Sequence, residues 1–258
     1  MAIGFIDKYS DLSGKTDFII PPVSRGILGW GYLGGSLQRS LQNLARGNPG
    51  LNVVGTPTIH DNYASFVGSN HYFQTAIFQR MQHTIFCVAR SLDTFVDNSH
   101  KPMIFSSFNG QNTSAPAYAT QGLSLYVENS GYPPPVGKLT GIVGAYDPTA
   151  PGPATATTVQ IERDMSQFSI MSLTQSASTI QVRDWTLGYT AINPIPAGRV
   201  IAPSNRAFAI GSPANPISYT GTVDIAGWAI YEGVLNELEH NLVVAKFRSY
   251  FAKRGMAV

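Results

Sequence analysis

Asp224-Ile-Ala-Gly-Trp-Ala-Ile-Tyr231 is followed by Glu-Gly-Val-Leu-Asn236-Glu-Leu-Glu239 and then by a basic amphipathic run to Gly255. The first segment is an apolar stretch of strand length and reads as a buried strand. A short turn follows. Asn236 and Glu239 then stand at the spacing of a capping box, in which each side chain satisfies a free backbone N–H at the helix start. Val243, Phe247, Tyr250 and Phe251 recur at i, i+4, i+7 and i+8, while Lys246, Arg248, Lys253 and Arg254 fall elsewhere. Gly255 is placed to end the helix in the left-handed conformation. The sequence predicts a core strand and one terminal helix that lays an aromatic face on the rest of the fold or on a partner chain.

Upstream the chain reads as β. Thr56–His60, Tyr63–Phe66, Thr84–Ala89, Met103–Phe108, Phe168–Leu173, Ile180–Trp185 and Ala207–Ile210 are short strands bounded by Gly, Asn or Pro. Leu123, Leu125 and Val127 alternate with Ser124, Tyr126 and Glu128, the pattern of a half-exposed strand. Leu37, Leu41 and Leu44 allow one short helical turn before Gly47. The stretch from Tyr132 to Thr158 carries Pro133-Pro-Pro135, Pro148, Pro151 and Pro153 and reads as a loop or edge excursion, because Pro cannot donate to a central ladder. Residues 1–35, with Pro21-Pro22 and glycines interleaved with Trp30 and Tyr32, show no clear period and read as an extended arm or first strand. The remainder, 36–258, reads as one domain. Many short strands with one helix call for a sandwich or barrel.

Composition narrows the function. Of the 258 residues 43% are hydrophobic and only 12% charged, about half the usual ~25% charge. Ser, Thr, Asn, Gln, Gly and Pro cover the surface instead, a composition common in extracellular and virion proteins. The net charge is +2 without a basic stripe, so nucleic acid is not an expected partner. Cys87, the only cysteine, lies in an apolar strand as a buried small hydrophobe and excludes an intrachain disulfide. The N-terminus lacks the pattern of a signal peptide, and no window approaches a membrane span. Synthesis in the cytoplasm and no membrane insertion are expected.

The closing residues resemble a known family. Gly221-Thr-Val-Asp224-Ile-Ala-Gly-Trp-Ala-Ile-Tyr231, Leu235 and Asn236-Glu-Leu-Glu239 are similar to the closing motif of laminin-G-like, concanavalin A-like lectin/glucanase domains. Tyr63-Ala-Ser-Phe66-Val-Gly-Ser-Asn70 and Thr84-Ile-Phe86 resemble strands nearer that family's start. The resemblance covers residues 36 to 255. It implies an all-β, antiparallel jelly-roll β-sandwich with one C-terminal α-helix, of the type found in bacteriophage virion proteins, where such domains often bind carbohydrate.

The glucanases of that superfamily use carboxylates alternating along one strand. Glu162-Arg-Asp164 begins the pattern, but Ser166 and Gln167 occupy the places of the second Glu. No catalytic residue is therefore assigned. Gly14-Lys15-Thr16 imitates a phosphate loop, yet Tyr9 stands where its first Gly belongs. His60, His71, His83, His100 and His240 lack metal-ligand spacing, so no metal and no cofactor is expected. Asp61-Asn62 suits a turn more readily than a calcium site. Asn112-Thr-Ser114 is a formal glycosylation sequon.

Sugar binding needs an exposed aromatic plate beside planar polar groups. Two sets answer to that: Tyr126 with Glu128 and Asn129, and Asp184 with Trp185 and Tyr189. Three readings stay open. The first is a virion surface or tail-fibre protein that binds host-surface glycan, a homo-oligomer among other virion proteins. The second is a purely structural capsid decoration or tail adaptor, and the third a glycosidase or polysaccharide lyase.

Overall fold

Alternation along each strand gives two packed antiparallel sheets an inner and an outer face. The computed structural model describes residues 19–213 and 219–258. Its first strands are β1 (Ile27–Tyr32), β2 (Asn52–Val54), β3 (Thr58–Ile59), β4 (Ala64–Val67), β5 (Tyr72–Phe78), β6 (His83–Arg90), β7 (Met103–Ser106), β8 (Gly110–Gln111) and β9 (Ala119–Thr120). There follow β10 (Leu123–Asn129), β11 (Val136–Tyr146), β12 (Thr155–Asp164), β13 (Ser169–Gln175), β14 (Thr179–Asp184), β15 (Tyr189–Pro194), β16 (Val200–Ile201), β17 (Ala207–Ile210) and β18 (Thr222–Glu232). Helix α1 (Leu37–Ser40) is the expected short turn, and α2 (Glu237–Ala252) is the terminal helix.

The first sheet runs β15-β14-β13-β6-β18-β4-β3, and the second β12-β11-β10-β7-β17-β5-β2. One edge of β18 is shared, with Thr222–Ile225 pairing β4 and Gly227–Tyr231 pairing β1. This is the antiparallel jelly-roll sandwich that the closing motif implies. The chain crosses between the sheets from β4 to β7, then runs β10-β11-β12 within the second and β13-β14-β15 within the first. Between the sheets Ile85 and Cys87 share one apolar cluster with Phe105, Leu125 and Phe208.

β18 lies mid-sheet and is buried from Val223 to Tyr231. Beyond it, Asn236 accepts from the Glu239 N–H at 3.0 Å, and Glu239 accepts from the Asn236 N–H at 2.8 Å. The capping box is complete. At the other end Gly255 has φ +71°, and the Met256 N–H donates to the Phe251 carbonyl at 3.1 Å, closing the turn that the left-handed residue permits. Val243, Phe247 and Phe251 bury against the outer face of the first sheet, where Phe247 stacks on Trp30 at 4.5 Å. Ion pairs Arg25–Glu239 and Arg183–Glu237 fasten the first turn of the helix.

Three expectations change. Residues 27–32 do have a period: Gly29 and Gly31 face inward, where a Cβ would fall within 3.0 Å of the Trp228 indole, while Trp30 and Tyr32 face outward under α2. Residues 1–18, and with them Gly14-Lys15-Thr16, lie outside the described residues. Second, Tyr132–Thr158 is not a loop throughout. Its middle is the eleven-residue β11, between β10 and β12, and the prolines only bracket it. Gly141 sits inward on β11 because Leu173 and Val182 of the facing sheet occupy the space a side chain would need. Third, β10 is buried on both faces, because Met103, Ile142, Phe108 and Tyr219 cover Tyr126 on the outer side.

One core polar group sets an acid response. His83 is fully buried; its Nε2 accepts from the Arg80 N–H at 2.7 Å and its Nδ1 faces the Tyr231 carbonyl at 3.0 Å. Both positions are filled only by the neutral ring. Burial lowers its pKa to about 4, against about 6.5 unfolded. Between those values the unfolded chain binds a proton that the native chain does not. Stability should therefore fall as pH drops from about 6.5 to about 4, by roughly 3 kcal/mol in all. Burial lowers the pKa of His240 as well, which acts in the same direction. Urea titrations across this window should show the fall, and His83→Gln, which keeps one donor and one acceptor, should reduce it. An unchanged slope in that variant would remove the assignment.

Candidate functional site

The β3–β4 hairpin turns through His60-Asp61-Asn62-Tyr63, closed by the His60 N–H to the Tyr63 carbonyl at 2.9 Å. Asp and Asn suit such a turn because their short side chains tolerate its backbone. The hairpin lies at the edge of the first sheet and presents its turn to one end of the outer face. Arg90 ends β6 there, Phe168 precedes β13, and the turn after α2 brings up Met256. Together with Ile59 these residues line an open cleft of about 640 Å³.

Polar bonds fix the floor. Asp224, on β18, accepts from Arg90 Nε at 2.9 Å and from Ser65 Oγ at 2.5 Å. His60 Nε2 lies 3.0 Å from Ser65 Oγ. Ser65 has one proton and gives it to Asp224, so the His60 Nε2–H donates to Ser65 and Nδ1 is left as an acceptor. The order Asp–Ser–His differs from the Ser–His–Asp order that activates a serine nucleophile. An acid inside an apolar strand needs such partners, because an unpaired buried charge is costly.

The walls are aromatic. His60 stacks on Tyr63 at 4.3 Å, and Tyr63 meets Phe168 at 5.3 Å. The Arg90 guanidinium lies 4.6 Å from the Phe168 ring centre and 5.3 Å from that of Tyr63. Its two terminal nitrogens make no hydrogen bond among the described residues. A clamped guanidinium with free donors, between ring faces, can read a hydroxyl or carboxylate while an apolar ring face stacks beside it.

The two sets of residues expected from the sequence do not meet. Tyr126 is 4% exposed and packs edge-on against Tyr219 at 4.8 Å. Burial raises its pKa, and the neighbouring Tyr219 and Glu128 add to the shift. Glu128 accepts from Gln160 at 3.0 Å, and Asn129 is exposed, accepting from the Gly131 N–H at 2.6 Å. The other set lies on the opposite sheet. Asp184 is buried and pairs with Arg163 at 2.5 Å; it also accepts from the Thr186 and Leu187 N–H groups. Trp185 donates to Ser172 at 2.9 Å, with Arg183 over its ring at 4.0 Å and His240 stacked at 5.4 Å. Tyr189 is half exposed on the edge strand β15.

The remaining motifs are placed as follows. Glu162 is exposed on the outer side of β12, 4.0 Å from Lys138. Hydrogen bonds from Ser166 hold Asp164 below the usual carboxylate range, the reverse of the raised value a glycosidic acid needs. Asn112 is fully buried, including the Nδ2 to which a glycan would attach. The sequon is therefore closed in the folded chain.

No protein-family model matches the sequence, and no curated protein matches it. Solved structures do. The Trypanosoma rangeli sialidase in complex with sialic acid aligns at TM-score 0.55 and 15% identity, over 87% of this chain and 33% of that one. The botulinum neurotoxin serotype D ligand binding domain in complex with N-acetylneuraminic acid aligns at TM-score 0.55 and 10% identity, over 87% and 52%. The botulinum neurotoxin type G receptor binding domain aligns at 0.56 and 13%, over 86% and 51%. The likeness is one of fold. The chain spans only a third to about half of the structures it matches. Among the described residues no helix is long and apolar enough to cross a membrane.

Proposed function

We propose that this chain is a non-catalytic, glycan-binding jelly roll and that its sugar site is the cleft of His60, Asp61, Asn62, Tyr63, Arg90 and Phe168. The observation that carries the reading is the Arg90 guanidinium, fixed by Asp224 between two ring faces with its terminal donors free. Sugars ask for that combination of flat apolar surface and fixed polar groups. Two proteins that share the fold hold a bound sugar, which agrees with a glycan role without selecting a class of sugar. The Asp–Ser–His order and the lowered Asp164 argue against turnover. The low charge and the resemblance of the closing motif support a reading as a virion surface or tail-fibre protein, a homo-oligomer that meets host-surface carbohydrate.

A glycan array with the wild-type chain, followed by titration of the strongest ligand, tests the assignment. Phe168→Ala and Arg90→Gln should each weaken binding at least about fivefold while the chain stays folded by circular dichroism. Trp185→Ala and Tyr189→Ala should leave it unchanged. Loss of binding in the latter pair alone would move the site to β14–β15. A chain that binds no sugar and is found stoichiometrically along a capsid or tail would be the structural decoration or adaptor protein instead.

A further inference from the structure

We infer that the cleft selects a neutral sugar ring with adjacent hydroxyls, and disfavours an acidic one; this rests on the cleft being the glycan site. The argument is a count of donors, acceptors and charges. Arg90 and Asp224 neutralise each other across the 2.9 Å bond. Asp61 is exposed on the cleft wall and makes no ion pair or side-chain hydrogen bond among the described residues. The lining thus keeps one uncompensated carboxylate. Its free polar atoms are mixed: donors on the Arg90 terminal nitrogens, acceptors on Asp61 and on His60 Nδ1, and both kinds on the Asn62 amide.

A hydroxyl both donates and accepts, so a pair of adjacent hydroxyls can satisfy a carboxylate and a guanidinium at once. A ligand carboxylate only accepts. It would use Arg90, offer no proton to Asp61 or His60, and meet the Asp61 charge at close range. Tyr63 and Phe168 supply the ring faces that either sugar would need, so the polar pattern alone decides the class.

The test uses pairs that differ in one carboxylate: methyl glucoside against methyl glucuronoside, and methyl galactoside against methyl galacturonoside, with N-acetylneuraminic acid as a fifth probe. Affinities are measured by NMR titration on wild type and Asp61→Asn. A neutral glycoside should bind more tightly than its uronic partner, and Asp61→Asn should weaken it about tenfold, the loss of one charge-assisted hydrogen bond. Tighter binding of a uronic acid or of N-acetylneuraminic acid, or a gain in affinity for them in Asp61→Asn with the neutral partner unaffected, overturns the inference and leaves the cleft as the site. Binding of a neutral glycoside that neither Asp61→Asn nor Arg90→Gln alters overturns the cleft assignment. Saturable binding of none of the five removes the glycan reading, and this one with it.

Discussion

Replacing Asp184 by Ala should destabilise the chain by about 3–5 kcal/mol. Arg163 and Asp184 have side-chain exposures of 1% and 0%, so the pair is shut away from water. It joins β12 of one sheet to β14 of the other. Arg163 also donates to the Asp164 and Gln167 carbonyls, and Asp184 ties down the turn that leaves β14. Burial pulls the Arg163 pKa down, and Asp184 and Asp164 oppose that shift. Without Asp184 the guanidinium is left buried and unpaired, and two turn N–H groups lose their acceptor. For a chain of this size the cost corresponds to a fall of roughly 6–20 °C in Tm. Arg163→Met with Asp184→Leu should recover much of it, because an apolar pair of similar volume has no charge to desolvate. Calorimetry on the single and double variants checks both values. A single variant that melts like wild type but loses sugar binding would return Asp184 to the binding residues.

The burial of Asp184 marks how much of the candidate site a sequence can carry. Asp184, Trp185 and Tyr189 look like a sugar plate because acid, indole and phenol are adjacent, and adjacency along a strand sends neighbours to opposite faces. Asp184 points into the sandwich and Trp185 outward under α2. The strand, turn, capping box and Gly255 cap were legible because each is set by residues within a few positions. The cleft was not, since Tyr63, Arg90, Phe168 and Asp224 come from four separated segments. One clue was available: Asp224 heads an apolar strand, and Arg90 ends another. Each required a partner, and β6–β18 pairing sets them side by side. Tyr132–Thr158 misreads for a different reason: its prolines all stand before or after β11, so none has to donate within the strand.

Gly31→Ala should cost at least the upper part of the ~1–3 kcal/mol range for overpacking, and the loss should disappear when Trp228 becomes Leu. Pairing of β1 with β18 sets Gly31 opposite Trp228. The indole turns inward across β1 and fills the space where Cβ atoms of Gly29 and Gly31 would be. On the other face Trp30 and Tyr32 are held by Phe247, Tyr250 and Phe251, so β1 cannot retreat from the added methyl without unpacking α2. The clash is met at once by both sides of the strand. Trp228→Leu is itself costly, since it removes core volume, although the Trp228 N–H has no hydrogen-bond partner among the described residues and its loss leaves nothing unpaired. In that background the methyl enters vacated space. The cycle formed by the two singles and the double should show a favourable coupling above about 1 kcal/mol, read from urea midpoints at constant m. Additive effects would mean that β1 can shift as a unit, with α2 riding on it, and that the alternation of glycine and aromatic residues at 29–32 does not fix the strand.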